Sequence, residues 1–175
     1  MSQPAARVAV LMGSDSDLPV MAGTARVLEE YGVPYDLRVL SAHRTPEQAA
    51  SFAREARGRG IEVIIAAAGG AAHLAGALAA QTTVPVIGVP LASSPLQGFD
   101  ALLSTVQMPP GIPVATVGVG PMGAANAAHL AVAIMAVADA TLRERLEQRR
   151  AKMRDEVLAK ADTVPRKLRE LLDGK

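Results

Sequence analysis

Cysteine is absent from this 175-residue chain, which excludes a disulfide, a thiol nucleophile and a cysteine-ligated metal at one stroke. Tryptophan is absent too, and aromatic residues make up 2% of a sequence that is 50% hydrophobic. The core must therefore be assembled from Ala, Val, Leu and Ile. Side chains that small favour close helix packing and subunit contacts, and few rings are left to stack a flavin. Neither sign of charge dominates: 18 basic residues against 17 acidic ones leave a formal charge of +1, too little for a nucleic-acid footprint. A small anion can still be held locally. No unbroken apolar run reaches the roughly 18 residues of a membrane span, and Arg7–Met12 is too short for the apolar part of a signal peptide. A soluble cytoplasmic protein with no nucleic-acid or membrane partner is expected.

What is present alternates. Apolar runs are followed by short loops and then by helical patterns: strand Arg7–Met12 with a helix to about Tyr31, strand Tyr35–Leu40 with helix Pro46–Arg57, and strand Ile61–Ala67 with helix Ala72–Ala80. Strand Val86–Val89 with helix Phe99–Val106, and strand Val114–Val117 with a long alanine-rich helix from about Gly123 through Asp139, complete five units. Such alternation predicts an α/β fold with a five-stranded parallel sheet covered by helices on both faces. The nearly continuous apolar strands agree with burial on both sides. Right-handed crossovers then gather every strand-to-helix loop at the carboxyl edge of the sheet, where open α/β folds bind ligands. Gly13–Asp17, Ser41–Thr45, Ala68–His73, Pro90–Gln97 and Gly118–Met122 should share that edge. The length suits a single domain over 1–175, with a core of about 7–138. The remaining tail, about 139–175, changes character: from Thr141 onward, 18 of the last 35 residues are charged. It reads either as a solvated helix or as an arm laid across a neighbouring subunit.

The motifs carry the chemistry. Ser41-Ala42-His43-Arg44-Thr45-Pro46 puts an imidazole beside a guanidinium at a strand-to-helix junction, with Thr45 placed to cap the helix that Pro46 begins. Imidazole exchanges protons near neutrality, and Arg can grip a phosphate or carboxylate with two parallel hydrogen bonds. His43 alone would also fit a loop histidine bonded to backbone. Gly13-Ser14-Asp15-Ser16-Asp17 leads into a helix with hydroxyls and backbone N–H groups, which suits a phosphate but equally suits ordinary capping. His73 follows Gly69-Gly70-Ala71-Ala72, where small residues admit a close approach, and it equally fits a structural histidine at a helix start. His129 reads as a packing histidine in an apolar helix, and the three histidines lack the spacing of a metal site. Gly118-Val119-Gly120-Pro121-Met122-Gly123 matches the GxGxxG pattern. The further strand and acidic residue that a dinucleotide needs do not follow it. Nor does an acid end the third strand as a phospho-accepting receiver would want.

These blocks together, with Val106-Gln107-Met108-Pro109 and Gly123-Ala124-Ala125-Asn126-Ala127-Ala128, resemble the class I N5-carboxyaminoimidazole ribonucleotide mutases of purine biosynthesis, over roughly residues 7–135. The resemblance implies a flavodoxin-like three-layer αβα fold with an extended C-terminal helix, a homo-octamer, a ribonucleotide substrate, and no metal, nucleotide or biotin cofactor. It implies that Ser14, Ser16, Ser41 and Arg44 hold the phosphate, that Asp17 holds the ribose, and that His43 is the general acid and base. Gly69, Gly70, Ala71, Ala72, His73 and Leu74 would shape the pocket for the migrating carboxylate, in an order like the mutases rather than the class II carboxylases that use free carbon dioxide. The chain departs from the family at Leu18, where tryptophan is usual, and at Ala75-Gly76-Ala77, where Pro-Gly-Met is usual. Both departures bear on packing rather than on titratable groups. The alternative from another class is a noncatalytic flavin- or nucleotide-binding module of flavodoxin-like shape.

Overall fold

The structure, a computed structural model, describes residues 5–174. It divides into two compact units, one ending at Met135 and the other beginning at Ala136.

In the first unit, β1 (Val8–Met12), β2 (Tyr35–Val39), β3 (Val63–Gly69), β4 (Val86–Leu91) and β5 (Ala115–Thr116) form one sheet in the order β2-β1-β3-β4-β5. Every pairing is parallel. This is the doubly wound, flavodoxin-like order, in which the chain reverses direction across the sheet between β1 and β3. The helices between strands are α1 (Leu18–Glu30), α2 (Pro46–Glu55), α3 (Leu74–Ala79) and α4 (Phe99–Val106), and α5 (Pro121–Met135) follows β5. β1 and β4 are buried along their whole length, as is β3 up to Ala67. This is why these strands read as unbroken apolar runs.

Alternation along β1 and β3 sends Ala9, Leu11, Ile64 and Ala66 to one face, where they join Phe52 and Ala53 of α2 and Leu74 and Leu78 of α3 in a single cluster. Val8, Val10, Met12, Val63 and Ile65 turn to the other face and are fully buried there. On that side α1 packs on α5, and the hydroxyl of buried Thr24 donates to the carbonyl of Ala124 at 2.7 Å. The alanines of α5 let the two helices approach this closely. Edge strand β2 carries charge: Asp36 bridges Arg38 and Arg59, whose guanidiniums lie over the ring of Phe52 at 5.3 and 4.7 Å. Charged side chains of this kind discourage pairing with another edge.

Several boundaries differ from those the sequence predicts. β3 begins at Val63 rather than Ile61, and α2 ends at Glu55 rather than Arg57. α3 starts at Leu74 rather than Ala72, because Gly70, at φ 58°, turns the chain and residues 70–73 form tight turns before the helix. β5 is shorter than Val114–Val117, since its ladder ends with the bond from Val117 N–H to the Gly88 carbonyl. Pro90 survives inside β4 for the same reason. Its carbonyl accepts from Gly120 N–H at 2.9 Å, so the N–H that proline lacks falls on the side where β5 has already ended. α5 opens at Pro121 and stops at Met135 instead of running through Asp139.

The second unit holds the extended C-terminal helix α6 (Ala140–Ala161) and a shorter α7 (Val164–Leu172). The Asp139 carboxylate caps α6 by accepting from Leu142 N–H at 3.1 Å. The break between α6 and α7 follows from Pro165, which cannot supply the N–H that a continuous helix would need.

Candidate active site

Loops after β1, β2 and β3, with one residue after β4, line a cavity of about 330 Å³ at the carboxyl edge of the sheet. The first loop folds on itself. Ser14 Oγ accepts from the N–H and the hydroxyl of Ser16 at 3.3 and 2.9 Å, and Asp17 Oδ2 accepts from Ser14 N–H at 3.2 Å. Ser14 and Asp17 thus form a reciprocal capping box around a short 3₁₀ turn, Asp15–Asp17. The capping role and a place in the cavity coexist in the same residues.

The second loop is tied by Thr45, but not as the sequence predicts. Its side chain caps no N–H of α2. The hydroxyl points back instead, accepting from Ser41 N–H at 2.9 Å and donating to the Ser41 carbonyl at 3.1 Å. That closes the loop around His43 and Arg44. Arg44 N–H donates to Ser41 Oγ at 3.1 Å, and its guanidinium Nη2 donates to the Gly13 carbonyl at 2.6 Å, joining the loops of β1 and β2.

The third loop brings His73 to His43. Their rings meet edge to face with centroids 5.0 Å apart, and His43 Nε2 lies 2.8 Å from His73 Nδ1. A bond between two imidazole nitrogens needs one donor and one acceptor, so one ring supplies the N–H and the other the lone pair. Asp17 is the buried carboxylate of the site, 9% exposed. Burial pushes its pKa above the usual carboxylate value, against the opposing pull of Ser14 N–H and the Arg44 guanidinium.

The cavity gathers Ser14, Ser16, Asp17, Ser41, His43, Arg44, Gly69, Ala71, His73 and Leu74. It does not gather Gly70, which serves the turn, or Ala72, which is buried. Ser93 lines it as well. The Pro90–Gln97 loop is expected at this edge from topology, but no motif in it marks Ser93. His129 lies in α5 and shares a 3.0 Å hydrogen bond with the Tyr31 hydroxyl, as a packing histidine does. The GxGxxG run also has a structural purpose: a β-carbon at Gly123 would sit 1.6 Å from the Gly118 carbonyl oxygen, so the loop and α5 pack backbone to backbone. Among the described residues no three His, Asp or Glu side chains converge as a metal would require.

The family described as AIR carboxylase matches residues 7–156. The chain belongs to that family. N5-carboxyaminoimidazole ribonucleotide mutase of Pyrococcus abyssi is 58% identical over 148 residues, covering 85% of this chain and 84% of the relative. The mutase of the same name from Mycobacterium tuberculosis is 56% identical over 154 residues, covering 88% and 87%. Among solved structures, Treponema denticola PurE superposes with a TM-score of 0.81 at 27% identity, over 90% of this chain and 97% of that one. The AIR carboxylase match contains every residue that lines the cavity and ends within α6, before α7. The noncatalytic flavin- or nucleotide-binding alternative finds no support in these relatives. Of the two positions noted in the sequence, Leu18 is exposed and Ala75 is buried.

Proposed function

We propose that the protein interconverts N5-carboxyaminoimidazole ribonucleotide and 4-carboxy-5-aminoimidazole ribonucleotide in purine biosynthesis, as a mutase. The observation that carries this reading is one crevice with two different ends, in a chain so close to curated mutases. Serine hydroxyls and a guanidinium lie at one end, and a histidine pair among small residues lies at the other.

Ser14, Ser16, Ser41 and Arg44 take the phosphate, whose charge the guanidinium meets and whose oxygens accept from hydroxyls and N–H groups. Asp17, an acceptor once ionised, takes the ribose hydroxyls. His43 gives a proton to the exocyclic nitrogen as the carbon–nitrogen bond breaks, releasing carbon dioxide and the electron-rich aminoimidazole. Ring carbon 4 then attacks the carbon dioxide, and neutral His43 removes the proton from that carbon. One group therefore acts as acid and then as base, a contribution of about 10²- to 10⁴-fold. Holding carbon dioxide beside the ring supplies more. Gly69 to Leu74, with His73, shape the space in which the carboxylate moves.

The mutase domain in this reading is the whole chain, 1–175, with a core of about 7–138. The family match supports it by extending past Met135 into α6. A cytoplasmic homo-octamer goes with the same reading. Exposed apolar side chains in the first unit favour assembly, among them Met122 at 80%, Leu96 at 64% and Phe99 at 63%. Light scattering on the purified protein should give eight chains. The activity is tested by incubating the protein with the carboxyamino ribonucleotide, without ATP or bicarbonate, and following the 4-carboxylate. Loss of carbon dioxide alone would sink the mutase assignment.

A further inference from the structure

Ser93 carries none of the roles assigned above, yet its side chain reaches the crevice. It lies just beyond β4, its N–H donating to the Leu91 carbonyl at 3.1 Å. A β-carbon at Gly69 would sit 1.7 Å from Ser93 Oγ and 2.8 Å from Ser93 Cβ. The backbone at Gly69 is not left-handed, so conformation does not demand glycine there. Space does, and what fills the space is the Ser93 side chain.

Two observations separate this hydroxyl from the other serines of the site. Ser14, Ser16 and Ser41 each engage their hydroxyl in a hydrogen bond within the protein, whereas among the described residues Ser93 Oγ has no such partner. The sheet order also sets it apart. Arg44 and Ser14 follow β2 and β1, while Gly69 and Ser93 follow β3 and β4. At a strand spacing of about 4.8 Å, the β4 end is roughly 10 Å from the β1 loop. On the mutase reading, a ribonucleotide held by its phosphate over β1 and β2 would extend its base toward Gly69 and Ser93.

We propose that Ser93 is a substrate-contacting residue whose hydroxyl donates to the carboxylate that migrates. It would hold that group beside the ring from its place on the exocyclic nitrogen to its place on carbon 4, with Gly69 kept side-chain-free to leave room for the Ser93 side chain. The assignment rests on the mutase reading and adds to it a dedicated donor at the β4 end.

Its test is the fate of the carboxyl group in Ser93→Ala, followed with substrate labelled at that carbon. A lost hydrogen bond to a charged group should lower kcat for the 4-carboxylate about tenfold or more. KM should rise as well, because the same bond is made to the carboxylate of the bound substrate, and a larger share of label should leave as carbon dioxide. Ser93→Thr, which keeps the hydroxyl, should restore both the rate and the partition. Wild-type kcat and partition in Ser93→Ala overturn the assignment, as does a loss that Ser93→Thr fails to recover. A wild-type protein that forms no 4-carboxylate overturns the mutase reading instead, so the two failures are told apart.

Discussion

The two ends of the crevice are built on opposite plans. Over β1 and β2 the polar groups are already bonded to one another: Ser14 to Ser16, Ser41 to the Arg44 N–H, the Arg44 guanidinium to the Gly13 carbonyl. Over β3 and β4 the lining includes Gly69, Ala71 and His73, with one bond from His73 to His43 and, among the described residues, no hydrogen-bond partner for the Ser93 hydroxyl. The first end is preorganised, so its donors are held in place before an anion arrives. The second end is lined by small side chains, as suits a group that must leave one atom and join another. If the ends divide the work this way, mutations should divide too, with binding failing at the first and turnover at the second.

The largest effect is expected where the two ends meet, at His43, which the β2 loop carries and His73 of the β3 loop bonds. His43→Asn keeps a polar side chain but loses the exchangeable proton, so kcat should fall by about 10² to 10⁴ while the ribonucleotide still binds. Isothermal titration beside steady-state kinetics reads both quantities. Near-normal turnover in that variant would falsify the proton-transfer role. Arg44→Ala should give the opposite signature. Losing a charged hydrogen-bonding partner of the phosphate costs about 1.5–3 kcal/mol, so KM should rise roughly 10- to 100-fold with kcat less affected. Arg44→Lys should recover only part of it, because an ammonium cannot reproduce the forked geometry. If Arg44→Ala lowers kcat and leaves KM alone, the two ends are not distinct.

How much of this the sequence carries depends on the range of the interaction. The parallel sheet is legible because each strand is a continuous apolar run and each loop carries its own punctuation, Gly13 after β1 and Pro46 before α2. The carboxyl-edge location of the site follows from topology alone. What local pattern cannot supply is the direction of a hydroxyl or a meeting across the sheet. Thr45 before Pro46 looks like a cap, and only the folded loop shows it bonded backward to Ser41. His43 and His73 meet because β1 lies between the strands that precede them, which no spacing encodes. Ser93 sits in Ala92-Ser93-Ser94-Pro95, a stretch with no motif, and its significance appears only where its side chain fills the place a β-carbon of residue 69 would take.

A smaller effect tests whether the preorganisation of the first end depends on Thr45. Thr45→Val preserves shape but deletes both hydroxyl bonds to Ser41, leaving a half-buried N–H without its partner while the backbone bond from Thr45 N–H to the Ser41 carbonyl remains. A penalty of about 1 kcal/mol is expected, or a melting temperature lowered by roughly 2–4 °C for a chain of this size. KM should rise more than kcat falls, since Ser41 and Arg44 lose their frame. A variant with unchanged melting temperature and KM would mean that the loop is held by its backbone alone.

The smallest effect is on stability, and its sign is opposite. Burial raises the Asp17 pKa in the folded protein, so between its unfolded value of about 3.9 and the raised folded value the native state binds more protons than the unfolded one. Stability attached to Asp17 therefore falls as pH rises through that window, and above it the buried charge is a standing cost. Asp17→Asn removes the titration while its amide oxygen can still accept from Ser14 N–H, the bond that closes the capping box at 3.2 Å. At neutral pH the variant should melt no lower than wild type, and its melting temperature should lose the decline across the acidic window. The same substitution should raise KM, because one amide oxygen is a poorer acceptor for ribose hydroxyls than a carboxylate. A buried charge kept at a cost to the fold and used for binding is what that pairing would reveal. A variant less stable at neutral pH, with the wild-type pH slope intact, would show that Asp17 serves the capping box first.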